Sequence, residues 1–182
     1  MKEYPENEPM KPSVTYISDV GVDATQDREI RDLLTTCFTK PEDVGFKTRR
    51  YFKEPYPHRW VIRNANGGLV AHVGLHEKMV AADGWTFRIG GIAEVCVHPE
   101  SRGKGYVRIM LREIDDWQAQ QGFAFSMLFG DPNVYGSSGY VEVGNLVYGG
   151  EDEGWTPVTG MIKPLSLTPW PTCPVKLYGL KF

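Results

Sequence analysis

Apolar residues recur along the chain with two periods, one typical of helices and one typical of strands. Between residues 25 and 38 they recur every three or four positions, which predicts an amphipathic helix with Asp23 or Thr25 as its N-cap. The same spacing between Gly105 and Gln121 predicts a second amphipathic helix. These are the two long helices of the expected fold.

Alternating or unbroken apolar runs elsewhere in the chain predict strands. Two glycines, Gly90 and Gly91, are expected to bend the longest of them. The predicted strands cover residues 13–18, 59–63, 69–80, 85–97, 123–129, 141–148, 158–164 and 175–180, the last as an edge strand. This order predicts an α/β fold with a mixed sheet, in a single domain over residues 13–182. A flexible lead-in, rich in proline and glutamate, is expected over residues 1–12.

The composition narrows the class of protein. A formal net charge of −3 over 182 residues argues against a nucleic-acid partner held by phosphate neutralisation. The three cysteines are few and odd in number, which argues against a disulfide framework and favours a reducing compartment. The sequence contains no apolar run of membrane-spanning length. We therefore expect a cytoplasmic protein with no membrane partner.

The segment from Gly91 to Val107 has the pattern of a strand, an anion-binding turn and a helix. An apolar run ends at His98, and a basic loop with two glycines follows it. Gly103 and Gly105 let backbone N–H groups approach an anion closely, and the free N–H groups of the next helix turn add to them. The P-loop signature and the third glycine of a dinucleotide-binding fingerprint are both absent.

Two motifs carry a resemblance to a known family. The run Arg102-Gly103-Lys104-Gly105-Tyr106-Val107 is similar to the Gln/Arg-x-x-Gly-x-Gly/Ala signature of the GNAT superfamily of acyl-CoA-dependent N-acetyltransferases, with Val107 departing at the last position. The segment from Gly130 to Tyr140 resembles the GNAT segment after the fifth strand, where Tyr135 precedes Gly139-Tyr140 by four residues. Within the superfamily, the layout most resembles the aminoglycoside 2'-N-acetyltransferases and nodulation-type acyltransferases.

The resemblance implies a GNAT fold whose fourth and fifth strands splay apart to admit acetyl-CoA as cosubstrate. The pantetheine arm is then expected to pair with the backbone of Val95 and Val97, and Asn133 is a further candidate contact to it. The resemblance implies a diphosphate site formed by Arg102, Gly103, Lys104, Gly105, Tyr106 and Val107. No metal is expected, because His72 and His76 lie four residues apart on a strand, about 13 Å, which is too far for one ion.

Acyl transfer to an amine requires a neutral nucleophile, which favours a general base near the thioester. Glu94 is the first candidate, because it lies one residue before the expected pantetheine-binding backbone and on the same face as Cys96. The alternatives for Glu94 are an exposed strand carboxylate with no catalytic role and a cation-binding group that never accepts a proton, and Glu77 and His76 are reserve candidates for the base. A water relay to the base is also open.

Tyr135 matches the position of the family's usual general acid, which protonates the departing thiolate. The alternative is an aromatic residue that only packs. A covalent acyl-enzyme at Cys96 is less favoured, because His98 is about 6 to 7 Å away along the strand, and a buried apolar role fits this cysteine better.

The sequence thus predicts an enzyme that moves an acetyl group from acetyl-CoA to a primary amine by direct attack in a ternary complex. The alternatives are transfer of a longer acyl chain and a catalytically weak acyl-CoA-binding regulatory module. The acceptor, a small molecule or a peptide, is open: the acidic balance favours a cationic amine such as an aminoglycoside or polyamine, and the basic run from Lys47 to Lys53 disfavours it. The proline-rich C-terminal segment is compatible with a homodimer.

Overall fold

The helices and strands follow the order that the apolar periodicity predicts. The computed structural model describes residues 12–152 and 154–182, so the expected lead-in lies outside the described residues except for Pro12. The described elements are β1 (Val14–Ser18), α1 (Ala24–Cys37), β2 (His58–Arg63), β3 (Leu69–Ala82), β4 (Trp85–Val97), α2 (Tyr106–Gln120), β5 (Phe125–Leu128), α3 (Pro132–Tyr135), β6 (Val141–Gly150), β7 (Gly154–Pro164) and β8 (Val175–Tyr178). None of the helices in this part of the chain has the length and hydrophobicity that a membrane span requires.

The strands form one mixed sheet in the order β1-β2-β3-β4-β5-β7-β6-β8. Two pairs of neighbours are parallel: β4 with β5, which α2 connects, and β6 with β8. The other neighbours are antiparallel. β8 also pairs with β3, where Leu177 lies opposite Val80. The prediction that the last strand lies at an edge is therefore wrong, because this second pairing closes β3, β4, β5, β7, β6 and β8 into a ring.

The interior of this ring is an apolar core to which every one of its six strands contributes. Its members are almost completely shielded from solvent, and Leu177, Val80 and Phe125 are 0% exposed. The buried residues of this core are Val80, Ala82, Ile89, Phe125, Met127, Leu146, Ile162, Val175 and Leu177. We call this half of the sheet the closed end.

The two long helices pack at the other end of the sheet. The α2 residues Met110, Leu111 and Ile114 are buried against β2 and β3, whereas α1 buries Ile30 and Leu34 in a separate cluster with Cys96 of β4. The Asp23 side chain accepts hydrogen bonds from the backbone N–H groups of Thr25 and Gln26, and Oε1 of Gln26 accepts one from the backbone N–H of Asp23. Asp23, one of the two predicted N-caps, is thus the one used.

β4 leaves β5 after a short stretch of pairing. Parallel pairing runs only from Ile89 to Gly91, and the β5-facing edge of the rest of β4 has no strand partner in the described chain. The pairing of β4 with β3 is irregular near Glu94, whose φ of 42° lies in the left-handed region. We call this half of the sheet the open end.

The predicted bend at Gly90 and Gly91 is wrong, because both residues pair regularly with β3 and β5. Close packing accounts for both glycines. A Cβ at Gly90 would lie 1.9 Å from Oε1 of Gln118, and one at Gly91 would lie 2.6 Å from the ring of Phe182. The irregularity falls instead at Glu94.

Candidate active site

The glycine turn joins the end of β4 to the start of α2. Gly103 and Gly105 have φ angles of 77° and 72°, in the region that L side chains rarely adopt. Gly105 is the N-cap of α2 and supplies no side chain to the first helical N–H groups, which leaves them free to bind an anion. Arg102 and Lys104 are exposed beside these N–H groups. The Arg102 Nε donates to the Val97 carbonyl oxygen at 3.2 Å.

A cleft of about 530 Å³ runs from this turn along the open edge of β4. We call it the main cleft. Its walls come from α1, β4, the glycine turn, α2 and α3, so one of the two splayed strands and three helices form it together. The residues that line it are Cys37, Phe38, Val95, Cys96, Val97, Ser101, Arg102, Gly103, Lys104, Gly105, Tyr106, Val107, Val134 and Tyr135.

A second hollow of about 170 Å³ lies between β4 and β5. We call it the inner pocket. It shares Phe38, Val95 and Tyr135 with the main cleft, so the two spaces meet at these side chains. The other residues that line it are Ile92, Ala93, Glu94, Leu128, Phe129 and Phe182.

Glu94 places the one carboxylate among the residues that line the inner pocket. Its Oε1 accepts a hydrogen bond from the backbone N–H of Phe52 at 3.0 Å. Its Oε2 is buried and has no hydrogen-bond partner in the described chain. Burial raises the pKa of Glu94 to about 7, against the opposing effects of the Phe52 N–H and of nearby Tyr56 and Arg59. Such a carboxyl is poised to exchange a proton near neutral pH.

The unusual backbone at Glu94 is held by a buried histidine. The His72 Nδ1–H donates to the Glu94 carbonyl oxygen at 3.0 Å, and the ring is 0% exposed. Burial, aided by the charge of Arg59, lowers the pKa of His72 to about 3, so its imidazole is neutral. The bulge turns Glu94 and Cys96 toward the α1 side of the sheet, whereas Val95 and Val97 pack on the α2 side.

Tyr135 lies where the main cleft meets the inner pocket. Its ring packs closely over Gly130, where a Cβ would lie 2.4 Å from it. Burial raises the pKa of the Tyr135 hydroxyl above its ordinary value, with a smaller contribution from Cys96. The hydroxyl therefore keeps its proton at neutral pH and is available as a donor.

Cys37 and Cys96 lie side by side in the wall of the main cleft. Their thiols are close enough to share a hydrogen bond, which is the main cause that lowers the pKa of Cys37 to about 7, with help from the Arg102 charge. The hydrogen bond with Cys37 and its own burial raise the pKa of Cys96. Cys37 is half-buried whereas Cys96 is 7% exposed, so Cys37 is the thiol that a reagent in the cleft reaches more easily.

The amino-acid sequence matches a model of a known protein family. A family model described as "Acetyltransferase (GNAT) domain" matches residues 21–143, which is more than half of the chain. The chain belongs to the GNAT acetyltransferase family. A search of curated protein sequences gave no significant match.

Solved structures of other GNAT proteins share the fold. The GNAT family N-acetyltransferase YhbS from Escherichia coli, solved with CoA, has a TM-score of 0.71 at 16% identity, over 96% of this chain and 93% of that one. A GNAT acetyltransferase from Brucella melitensis, solved with acetyl-CoA, has a TM-score of 0.57 at 16% identity, over 90% and 94% of the two chains. The E. coli ribosomal-protein-S18-alanine N-acetyltransferase has a TM-score of 0.54 at 18% identity, over 86% and 97%. The predicted GNAT fold is thus confirmed.

Most of the site residues expected from the GNAT resemblance come together. The main cleft contains both strand positions, the whole glycine turn and Tyr135, and Glu94 lies in the adjoining pocket. Asn133 is apart from both, because its side chain donates to Asp131 Oδ1 at 2.9 Å. The reserve base Glu77 is paired with His58 and Arg88 outside the pocket. No group of three or more His, Cys, Asp or Glu residues suited to a metal occurs in the part of the chain that the structure describes.

Several site residues were not expected from the sequence. Cys37 follows the apolar spacing of α1 and was expected as a core residue, Phe129 was expected only as the end of a strand, and no role was predicted for Phe182. All three reach the site through contacts between distant parts of the chain. The basic run from Lys47 to Lys53 also reaches the site, because the backbone N–H of Phe52 within it donates to Glu94.

Proposed function

We propose that this GNAT protein transfers an acetyl group from acetyl-CoA to a primary amine of a small molecule or peptide, by direct attack in a ternary complex. The observation that carries the proposal is the meeting of two spaces at Val95 and Tyr135: a cleft with an anion-binding turn, and a pocket with a buried carboxylate. This arrangement gives each of two substrates its own entrance to one point.

The main cleft has the chemistry that acetyl-CoA requires. The diphosphate would bind the free N–H groups of the glycine turn and α2, with Arg102 and Lys104 adding charge. The pantetheine arm would pair with the backbone of Val95 and Val97, as in strand addition. The Val97 carbonyl oxygen already accepts a bond from Arg102, so this pairing requires the arginine to move. The structures of the E. coli and Brucella relatives with CoA and acetyl-CoA support this assignment.

Glu94 is the proposed general base. An alkylamine with a pKa of about 10.4 costs roughly 4 to 5 kcal/mol to deprotonate at pH 7, so a nearby proton acceptor accelerates attack. The amine nitrogen forms a bond to the thioester carbonyl carbon and loses a proton to Oε2 of Glu94, directly or through one water. That oxygen has no hydrogen-bond partner in the described chain, so it keeps a vacant acceptor position; because it is shielded from solvent, the amine or the water reaches it only when the side chain turns toward the inner pocket.

Tyr135 is the proposed general acid. When the carbon–sulfur bond breaks, the electron pair goes to sulfur, and the Tyr135 hydroxyl supplies the proton that makes the free thiol. Its raised pKa keeps the hydroxyl protonated until that step. The proposed acid thus lies where the two spaces meet, and the proposed base lies in the wall of the inner pocket.

Turnover with a panel of primary amines, followed by release of CoA thiol, tests the proposal. Tyr135→Phe is expected to lower kcat by about 10²-fold with little change in the Kd for acetyl-CoA, and Glu94→Gln to lower kcat by a similar factor. The matched controls are Tyr178→Phe on β8 and the exposed Glu142→Gln on β6, which should keep full activity.

Two results would contradict parts of this proposal. Unchanged turnover in Tyr135→Phe would mean that this tyrosine is not the acid. Acetyl-CoA binding without turnover of any amine would favour a catalytically weak binding module in place of an enzyme.

A further inference from the structure

We propose that the acceptor is a small monoamine attached to one apolar group, preferably an aromatic ring, and that polyamines and aminoglycosides are poor acceptors. The proposal rests on the proposed function, because it assigns the inner pocket to the acceptor. The assignment decides whether the acceptor is a polycation, a question that the acidic net charge and the basic run from Lys47 to Lys53 left open.

The inner pocket offers one position for a cationic or amine group. Glu94 supplies its one side-chain carboxylate. Oε1 accepts a hydrogen bond from the Phe52 N–H and the buried Oε2 has no partner in the described chain, so the carboxylate has one acceptor left for one amine once the side chain turns toward the pocket. The other side chains that line it are apolar apart from the Tyr135 hydroxyl, and none of them carries a second carboxylate. A second ammonium drawn into this space would lose its water without gaining a partner, which is strongly unfavourable.

The pocket is the right size for one ring and has aromatic walls. Its volume of about 170 Å³ is close to that of cavities, about 150 Å³, that hold a benzene molecule. Phe129 and Phe182 form one side, with ring centroids 5.1 Å apart and planes tilted by 56°. Phe38, directly after the last residue of α1, adds a third ring. An aromatic or branched aliphatic group therefore fits better than a hydroxylated sugar.

The rim of the pocket is basic. Lys181 lies over the ring of Phe129, with its Nζ 5.3 Å from the ring centroid. The Lys53 Nζ donates to the Lys181 carbonyl oxygen at 3.4 Å, and neither lysine forms an ion pair within the described residues. Charges this close act on a ligand more strongly than the net charge of −3 spread over the whole protein, because salt screens beyond about 8 Å. A polycation is thus repelled at the entrance.

Competition among amines tests this assignment. We would measure kcat/KM with acetyl-CoA for 2-phenylethylamine, spermidine and kanamycin at pH 8 and fixed ionic strength. The expected kcat/KM for 2-phenylethylamine exceeds those of the other two by at least tenfold. Phe182→Ala should raise KM for 2-phenylethylamine at least tenfold with a small change in kcat, whereas Leu180→Ala, at an exposed neighbouring position, should change neither.

A charge reversal gives a second readout. Lys181→Glu should raise kcat/KM for spermidine several-fold and leave that for 2-phenylethylamine within twofold. Preference of the wild type for spermidine or kanamycin would overturn the inference and leave the proposed N-acetyltransfer standing. Use of octanoyl-CoA at least tenfold better than acetyl-CoA would also overturn it, because the apolar pocket would then hold the acyl chain. Turnover of none of these three amines but of another primary amine in the panel would overturn the inference alone, and turnover of no amine in the panel would overturn the proposed function and the inference with it.

Discussion

The two ends of the sheet differ in how completely their strands are paired. At the closed end, β8 pairs with both β6 and β3, and the six strands of the ring share one buried core. At the open end, β4 leaves β5 after Gly91, and its exposed backbone faces a cleft. The open end also contains the left-handed Glu94 and a carboxylate with an unpartnered oxygen. The difference indicates that the closed end supplies stability, while the open end carries the groups that destabilise the fold and serve a ligand.

The largest expected effect comes from breaking the closed end. Leu177 is 0% exposed, and Leu177→Ala should lower the free energy of unfolding by about 2 to 5 kcal/mol, because it leaves a cavity inside the ring. Urea denaturation measures this change. Leu180→Ala, at a position 47% exposed, should cost less than about 0.5 kcal/mol. A loss below about 1 kcal/mol in Leu177→Ala would contradict the closure of the ring by β8.

The next effect is the pH-dependent loss of folding stability caused by the buried carboxylate of Glu94 at the open end. Folding raises the pKa of Glu94 from 4.5 to about 7, so the folded state binds the proton more tightly than the unfolded state. The stability from that proton is present below pH 4.5 and is lost as the pH rises to about 7. At about 1.4 kcal/mol per pKa unit, the loss is about 3 kcal/mol.

Glu94→Gln removes this titration. The free energy of unfolding of the variant minus that of the wild type should therefore be larger at pH 8 than at pH 4.5 by about 3 kcal/mol. Urea denaturation at the two pH values measures both proteins. An equal difference at both values would show that the Glu94 carboxyl titrates normally in the folded state.

Local patterns predicted much of this architecture. The apolar spacing of α1 and α2 and the alternation in β2 to β4 follow from one-sided burial, so they are visible in the sequence. The glycine turn was equally visible, because positive φ angles at Gly103 and Gly105 restrict the choice of residue. These features depend on neighbours in sequence.

What could not be predicted depends on distant contacts. The second pairing of β8 joins Leu177 to Val80, and nothing in either strand specifies that partner. Gly90 and Gly91 suggested a bend, but they are glycines because Gln118 and Phe182 occupy the space beside them. The irregularity of β4 lies at Glu94 instead. The thiol pair of Cys37 and Cys96 also joins two distant parts of the chain, the end of α1 and β4, so neither segment alone predicts it.

A smaller effect is expected from changing the backbone of the glycine turn. Gly105→Ala puts a side chain at a φ of 72°, which should cost about 1 to 2 kcal/mol of stability and weaken acetyl-CoA binding about tenfold. Thermal unfolding and calorimetric titration measure the two quantities. Gly136→Ala is the matched control, because Gly136 has a φ of −58° and free space around it. Equal changes in stability and in the Kd for acetyl-CoA in the two variants would show that neither quantity depends on the left-handed backbone at Gly105.

The smallest expected effect is on thiol chemistry in the main cleft. Because the pKa of Cys37 is lowered to about 7, iodoacetamide at pH 7 should alkylate it several-fold faster than Cys173. Saturating acetyl-CoA should slow this reaction, since Cys37 lines the cleft. Mass spectrometry of the modified peptides measures both rates, with Cys37→Ser as control. An alkylation rate that acetyl-CoA leaves unchanged would place the ligand elsewhere.

Isothermal titration with acetyl-CoA tests the central claim most directly, because it asks whether the open end binds the ligand and the closed end does not. We expect a micromolar Kd for the wild type, a Kd within twofold of it for folded Leu177→Ala, and a Kd at least tenfold weaker for Arg102→Ala and Gly105→Ala. Absence of binding of acetyl-CoA and of free CoA to the wild type would contradict the account.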